Sequence, residues 1–504
     1  MKTDKNIIIL GAGIGGLSAA IQLAYRGFSV KVLEKQEKPG GKIIQIKKDG
    51  FTFDGGASFI TLSQVYEDFF HSVGKNRKDY FEWKKMQTNT TFCFSNDKKF
   101  TLYSGLTDVR DEIEKTFPQD LNGFDRFMNM GKDIHSLLYE GPGYAKRNYH
   151  KFFGFDFLLH RNVFAHLKKL YIHKTWEQIV NECFTAPELR AVFSYQATFM
   201  GMRPTTALGT YIFLPWANIT DGMYAIHGGT YNLVQGFYKL ALELGVTFEF
   251  NTEVKELVYT NKKITGVITT NGVKNCDIIV NNIDAAFFYT HIMPAEKNTI
   301  YTDSHLRKMN HTNSYFTINL GLRKAIPNIN HHTFMVAEQW YDFYNLILEP
   351  NSATKFNKKN LCYYIMQPSI TDQNMAPEGK ATAFILVPVC GYDPNFNWIE
   401  YESTFKNLIY DCIEQRDNIP IRDLIEVEEI YSPARWGKEF NLWENIILGF
   451  SLDIFQINNF RMPNKAREFT NLYHVGGSTI PGPGLPTCVT SGQLVTERIL
   501  EDYD

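Results

Sequence analysis

Hydrophobic positions along the chain change period several times, and each change marks an element. NIIIL (residues 6–10) is a short unbroken apolar run, the pattern of a strand buried on both faces. A glycine turn follows, and IGGLSAAIQLAYRG then carries the small residues of a helix packed tightly on a sheet, with Gly27 ending it. FSVKVLE begins a second strand, so the opening predicts a β-α-β unit of the doubly wound type. TTFCFSNDKKFTLYS (90–104) alternates about an NDKK turn and predicts a hairpin, and residues 107–140 predict polar helix. Residues 245–282 are strand-rich, with a hairpin signal at Asn271-Gly272 and a short buried strand in CDIIVNN. Further strands are predicted at 314–322, 361–367 and 381–389. The chain ends in NLYHVGG, a strand into a turn, and TSGQLVTERILEDY, an amphipathic helix.

Length and composition narrow the class. A chain of 504 residues suits two or three regions sharing a core, and no repeat or low-complexity linker divides it. With 44% hydrophobic and 21% charged residues it is globular, and a net charge of −2 argues against a general nucleic-acid binder. The seven cysteines are scattered without C-x-x-C spacing, which predicts neither a disulfide framework nor a metal site. IIIL is too short for a signal peptide core, and no run of eighteen apolar residues predicts a membrane span. The expected location is therefore cytoplasmic.

The chemistry begins at ILGAGIGGLSAA (9–20). Gly11, Gly13 and Gly16 form a G-x-G-x-x-G turn: the first allows the tight turn, the second lets backbone approach a pyrophosphate, the third lets helix and strand pack closely. Glu34 follows roughly twenty residues on, where an acidic side chain accepts hydrogen bonds from a ribose. The turn alone does not separate a nicotinamide from a flavin. Downstream, Pro39-Gly40-Gly41-Lys42 and GFTFDGGASFIT (50–61) add backbone amides and a cation, which suits a long, tightly held dinucleotide.

LEKQEKPGGK followed by DGFTFDGG resembles the flavoprotein superfamily of amine oxidases, protoporphyrinogen oxidase and bacterial phytoene desaturases. GMYAIHGGTYNLVQGFYKLALELG (222–245) and VGGSTIPGPGLPTCVTSGQ (475–493) extend the likeness end to end, and it is strongest to the phytoene desaturases. The resemblance implies an α/β fold: a Rossmann-type FAD-binding domain interleaved with a mixed-sheet substrate domain and a helical membrane-associating region. The implied division is 1–75, 222–290 and 441–504 for FAD binding, 76–221 for the helical membrane-associating region, and 291–440 for the substrate sheet. Gly11, Ala12, Gly13, Gly15 and Gly16 would take the pyrophosphate, Glu34 and Lys35 the adenosine end, and Gly41 and Lys42 the phosphate region. Lysine at 42 stands where relatives carry arginine, and gives a point charge without a bidentate fork. Gly56, Ala57 and Ser58 would approach the flavin and Val254 the adenine. Gly477, Ser478, Gly484, Leu485, Pro486 and Thr487 would cap the isoalloxazine, with the last helix pointing its N-terminus at the flavin. Many relatives read G-P-T at 56–58, T-H-P-G at 479–482 and G-I-P-G at 484–487, so the subfamily stays open.

On the substrate side, residues 144–178 hold seven Lys or Arg, four His, nine aromatics and only the acids Asp156 and Glu177. That composition fits an element lying at a membrane interface, or a cationic solvent face over a core. TALGTYIFLPW (206–216) fits a tunnel mouth and fits core equally well. Desaturation of an allylic CH–CH would send a hydride to flavin N5 and release a proton. No Ser-His-Asp set or carboxylate pair identifies a catalytic group, and Arg203, Asp221 and His227 read as structural. The expectation is an FAD-dependent desaturase of a C30 or C40 polyene, peripheral on the inner face of the cell membrane. Oxygen or a quinone would take its electrons. A carotenoid oxidase or isomerase, an amine oxidase, and a non-catalytic lipid carrier are the alternatives.

Overall fold

The computed structural model describes residues 5–137, 167–457 and 460–503. Two sheets organise them. The first is five-stranded and wholly parallel, in the order Thr247–Glu249, Ser29–Leu33, Asn6–Leu10, Ile278–Asn281, Leu472–His474. The unbroken apolar run at its centre has a simple cause: both faces are covered. Ile7 and Ile9 join one core with Val30, Val32, Ile278 and Val280, while Ile8 and Leu10 join another with Leu33 and Ile279.

The helix Ile14–Tyr25 lies on this sheet against the C-terminal helix Leu485–Tyr503. Their approach is close enough that a Cβ on Gly492 would stand 2.4 Å from the Ser18 hydroxyl and 2.6 Å from the Ala19 amide. Ser18 Oγ donates to Val489 O at 2.7 Å, joining the two ends of the chain. The terminal helix begins five residues before the expected 490. Gly484, with φ of +125°, turns the chain into it, and Pro486 is tolerated in a first turn whose amides lack helical partners.

The second sheet is seven-stranded and mixed: Ile425–Tyr431, Ser314–Leu322, Ala381–Val389, Tyr363–Met366, His332–Val336, Thr88–Phe94, Lys99–Tyr103. Neighbours run antiparallel except His332–Val336 beside Thr88–Phe94. The hairpin at 90–104 and the strands at 314–322, 361–367 and 381–389 are all found here. Helices Leu121–His135, Trp176–Cys183 and Pro187–Tyr195 share its core through Phe124, Phe127, Trp176, Ile179 and Phe193. The start of Trp176–Cys183 is fixed by a capping box between Thr175 and Gln178. Most of the basic aromatic segment, residues 144–166, lies outside the described residues. Within the rest, Lys169 Nζ pairs with Asp133 at 3.0 Å.

Asp54, in the strand Phe51–Gly55, ties the hairpin Ile44–Lys48/Phe51–Gly55 to the helix Tyr231–Glu243. Its buried carboxylate accepts from the amides of Thr230 (2.6 Å) and Tyr231 (3.4 Å). Burial outweighs those amides and pushes the carboxyl from 3.8 up to about 6. The folded protein thus binds this proton more tightly than the unfolded chain. The group's contribution to stability is full below 3.8 and is lost as pH rises through 6. Asp54→Ala should cost about 1 kcal/mol through loss of the cap. Thermal denaturation should show a larger cost at pH 5 than at pH 8; a cost that grows with pH would refute the assignment.

Candidate functional site

The glycine turn is built so that its open amides face one way. Gly11 N donates to Leu33 O (2.8 Å), and Ala12 N to Glu34 Oε2 (2.7 Å). The first amide of the helix to find a helical partner is Leu17, onto Gly13 O at 2.9 Å. Ile14, Gly15 and Gly16 therefore offer the free N–H groups of a helix N-terminus. Glu34 is buried, and its other oxygen accepts from Gln36 N at 2.9 Å. Burial raises this carboxyl above its ordinary range, against the pull of those amides and of Lys35.

Glycine is required here because three backbone segments converge. A Cβ on Gly16 would stand 2.3 Å from Gly11 O, and one on Gly41 3.2 Å from Gly13 Cα. A Cβ on Gly15 would meet Gly476 Cα at 2.9 Å and Asn282 Oδ1 at 2.8 Å. Asn282 stands at the centre, its Nδ2 donating to Gly11 O at 3.2 Å. It had no motif to mark it in the sequence; its position just past the strand Ile278–Asn281 was the only available signal.

Toward the other end, Lys42 is half-buried and donates to Ile447 O at 2.5 Å. Burial lowers its ammonium, and Asp284 and Cys488 oppose that. Asp284 accepts from Phe287 N (3.0 Å) and from Ser478 Oγ (2.9 Å), so it joins Ser478 to the central sheet; it too lay outside the sequence motifs. Arg461 is a buried cation. It donates to the carbonyls of Gly477 and Thr479 (both 2.9 Å), Phe450 (3.2 Å) and Ser451 (3.3 Å), fixing the C-terminal loop. Burial brings its guanidinium down to about 10. The Cys488 thiol is pushed up to about 11, which keeps it protonated.

One cavity of about 920 Å³ joins these parts. Every nominated residue except Ala12 and Gly16 lines it: Gly11, Gly13, Gly15, Glu34, Lys35, Gly41, Lys42, Gly56, Ala57, Ser58, Val254, Gly477, Ser478, Gly484, Leu485, Pro486 and Thr487. Ala12 and Gly16 stand behind, in the turn's own packing. Lys35 Nζ donates to Asn441 Oδ1 at 2.7 Å. Past Ser58 the lining becomes apolar: Phe59, Phe199, Phe213, Leu214, Phe334 and Leu386. Thr210, Tyr211, Phe213 and Leu214 reach it from the 206–216 segment, while Ala207 and Ile212 are core, so that stretch serves both purposes. Asp221 accepts from Ser63 N and Oγ (both 2.8 Å), His227 pairs with Asp372 at the surface (3.1 Å), and Arg203 lies half-buried; none lines the cavity.

The donors suit FAD. A backbone cradle that a Cβ would fill, a buried carboxylate at the strand end and the Lys42 ammonium, with no contacting carboxylate among the described residues, are what a dinucleotide needs. Gly16→Val should abolish FAD retention, read as loss of flavin absorbance in the purified protein. A variant that stays yellow at wild-type stoichiometry would contradict the cradle.

The chain matches the family described as flavin containing amine oxidoreductase over residues 14–328. It is 29% identical to a zeta-carotene-forming phytoene desaturase of Myxococcus xanthus, covering 98% of this chain and 94% of that protein. It is also 29% identical to a 4,4'-diapolycopene oxygenase of Methylomonas sp, covering 99% of each. Among solved structures, an oxidoreductase from Methanosarcina mazei superposes with a TM-score of 0.63 at 13% identity, over 98% of this chain and all of that one, and shares the fold. With its glycine cradle and this match over more than half its length, the chain belongs to the flavin containing amine oxidoreductase family.

Proposed function

We propose that the protein is an FAD-dependent desaturase of a C30 or C40 carotenoid precursor such as dehydrosqualene or phytoene. The observation that carries this is the cavity itself, which runs without a break from the glycine cradle to an aromatic floor. Tyr315, Phe334, Tyr364, Leu386 and Pro388 of the seven-stranded sheet form that floor. A long hydrocarbon is the ligand such a floor accommodates, and the names of the relatives in Myxococcus and Methylomonas agree with it. Bound FAD supplies the two-electron acceptor for the hydride. The chain aligns the polyene and keeps water away, which lowers the barrier chiefly through positioning.

The cavity opens at a lipophilic rim. Ile454, Ile457, Phe460, Leu170 and Ile172 line it, and beside them Phe455 and Phe460 are 78% and 70% exposed. Exposed aromatic side chains at the mouth of an apolar cavity are the contact expected with a bilayer that stores the substrate. Among the described residues no helix is long and apolar enough to cross a membrane, and attachment at the inner surface through this rim is part of the proposal. Oxygen or a membrane quinone would take the electrons. The oxygenase relative supports a second reading, oxidation of a terminal methyl on the same polyene.

Expression in cells that accumulate phytoene or dehydrosqualene should yield red-shifted, longer conjugated products. A flavin-loaded protein that leaves both untouched would reject the desaturase reading, and an oxygenated product would favour the second. Phe455→Ser with Phe460→Ser should weaken sedimentation with anionic vesicles several-fold while flavin content is kept. Unchanged sedimentation would reject the rim as the docking site.

A further inference from the structure

The cavity's apolar floor holds one polar device that the dinucleotide does not use. Tyr364 lines the cavity from the strand Tyr363–Met366, and its hydroxyl lies 2.6 Å from Nδ1 of His332 on the neighbouring strand. Both residues are almost wholly buried. Phe59 lies over the pair, its ring 4.7 Å from His332 and 5.0 Å from Tyr364. Ser58 lines the same cavity and joins Phe59 to the turn 56–58 beside the dinucleotide region.

With the phenol as donor to Nδ1, the imidazole hydrogen would sit on Nε2, and Nε2 is buried with no hydrogen-bond partner among the described residues. A buried donor left unpaired is a standing cost of about 1–3 kcal/mol, and its retention calls for a reason. Burial and the neighbouring His331 hold His332 well below 6.5, so the imidazole rests as a neutral base. His331, with its ring 4.4 Å away, is held neutral in the same way and bonds to Thr371 at 2.6 Å.

Three other titratable groups along the cavity are otherwise engaged. Glu34 is bound to the amides of Ala12 and Gln36, and Asp284 to Phe287 N and Ser478. Tyr315 donates to the carbonyl of Thr198 (3.2 Å), which cannot pass a proton onward. The geometry points to Tyr364 as the catalytic residue that receives the proton lost in the desaturation, with His332 as the base behind it.

This rests on the desaturase reading above. In that reaction one allylic C–H leaves as hydride to the flavin, which is reduced by two electrons. On the adjacent carbon the C–H bond breaks and its electron pair becomes the new C=C. The released proton bonds to the Tyr364 oxygen while the phenol's own proton moves to His332 Nδ1. The polyene thus loses one hydride and one proton, and the imidazole becomes imidazolium. When product leaves and water enters the emptied cavity, the low proton affinity of the buried ring returns the proton through the phenol to that water.

The test compares FAD-loaded wild type, Tyr364→Phe and His332→Gln on phytoene in vesicles, with deuterium at the carbons that lose the proton. Tyr364→Phe should lower turnover about 10²–10⁴-fold. His332→Gln, which keeps an acceptor for the phenol but no base, should lower it similarly. In both, the isotope effect should rise to a full primary value because proton loss becomes limiting. Spectra of ¹⁵N-histidine-labelled protein at pH 7 should show one neutral imidazole with Nδ1 accepting, a signal that Tyr364→Phe shifts. Turnover of His332→Gln within a factor of ten of wild type overturns the relay whatever Tyr364→Phe does, as does an unchanged isotope effect or a charged ring at this position. A wild type that leaves phytoene unoxidised overturns the desaturase reading and the relay with it; a desaturating wild type beside active variants overturns the relay alone.

Discussion

The structure depends on one crowded point, where backbone from the turn Gly11–Gly16, the Gly40-Gly41 corner and Gly476 meet around Asn282. No side chain beyond hydrogen fits at Gly15 or Gly16 without displacing backbone, because a Cβ would come within 3 Å of Gly476 Cα or Gly11 O. The segments that meet there are distant in sequence, and the parallel sheet is the means of bringing them together. Asn6–Leu10 at its centre pairs with Ile278–Asn281, which pairs in turn with Leu472–His474. The Gly492–Ser18 contact between the first and last helices then locks the final segment in place. Nucleotide site and fold are thus one constraint: the spacing that leaves room for a pyrophosphate is also what closes the sheet.

Electrostatics reinforce that view. Lys42 is half-buried in the cavity wall and Arg461 is buried beside it, and their hydrogen bonds go to backbone carbonyls. Placing cations in such surroundings is costly unless a counter-charge arrives. Asp284 faces Lys42 but is already engaged by Ser478 and Phe287 N. An anionic dinucleotide is the natural remaining partner, and its binding should stabilise the folded chain by linkage.

Much of this was legible because the relevant signals are local. NIIIL, Gly27 and the NDKK turn each encode an element through period or turn chemistry, and the corresponding strands, helix and hairpin are present. Ile425–Tyr431 was not legible, since IEVEEIY is an edge strand whose Glu428 and Glu429 pair with Lys406 and Arg435 and so break the apolar pattern. His332–Val336 follows His331, and the burial of the polar pair His331-His332 depends on Tyr364 of the neighbouring strand and Thr371 just after the turn Pro368–Ile370. Asn282, Asp284 and Arg461 share that property: each acts on backbone brought in by the tertiary fold, and nothing in the flanking sequence distinguishes them from ordinary polar residues.

The change in character along the cavity has a mechanistic consequence. Its dinucleotide half is lined by amides, Glu34, Lys35 and Lys42, and its other half by aromatic rings, with Ser58 at the junction. A hydrocarbon gains nothing from the first half and a dinucleotide gains nothing from the second. Each ligand is therefore sorted to its own half by desolvation alone, because misplacing either would bury unpaired polar groups or leave apolar surface wet. That sorting would place the reactive end of the cofactor against the polyene without any group dedicated to recognising the junction. It also explains why a phenol–imidazole pair can sit in the floor without attracting water: Phe59 and the surrounding rings keep it dry, so its polarity is available only to what lies directly above it.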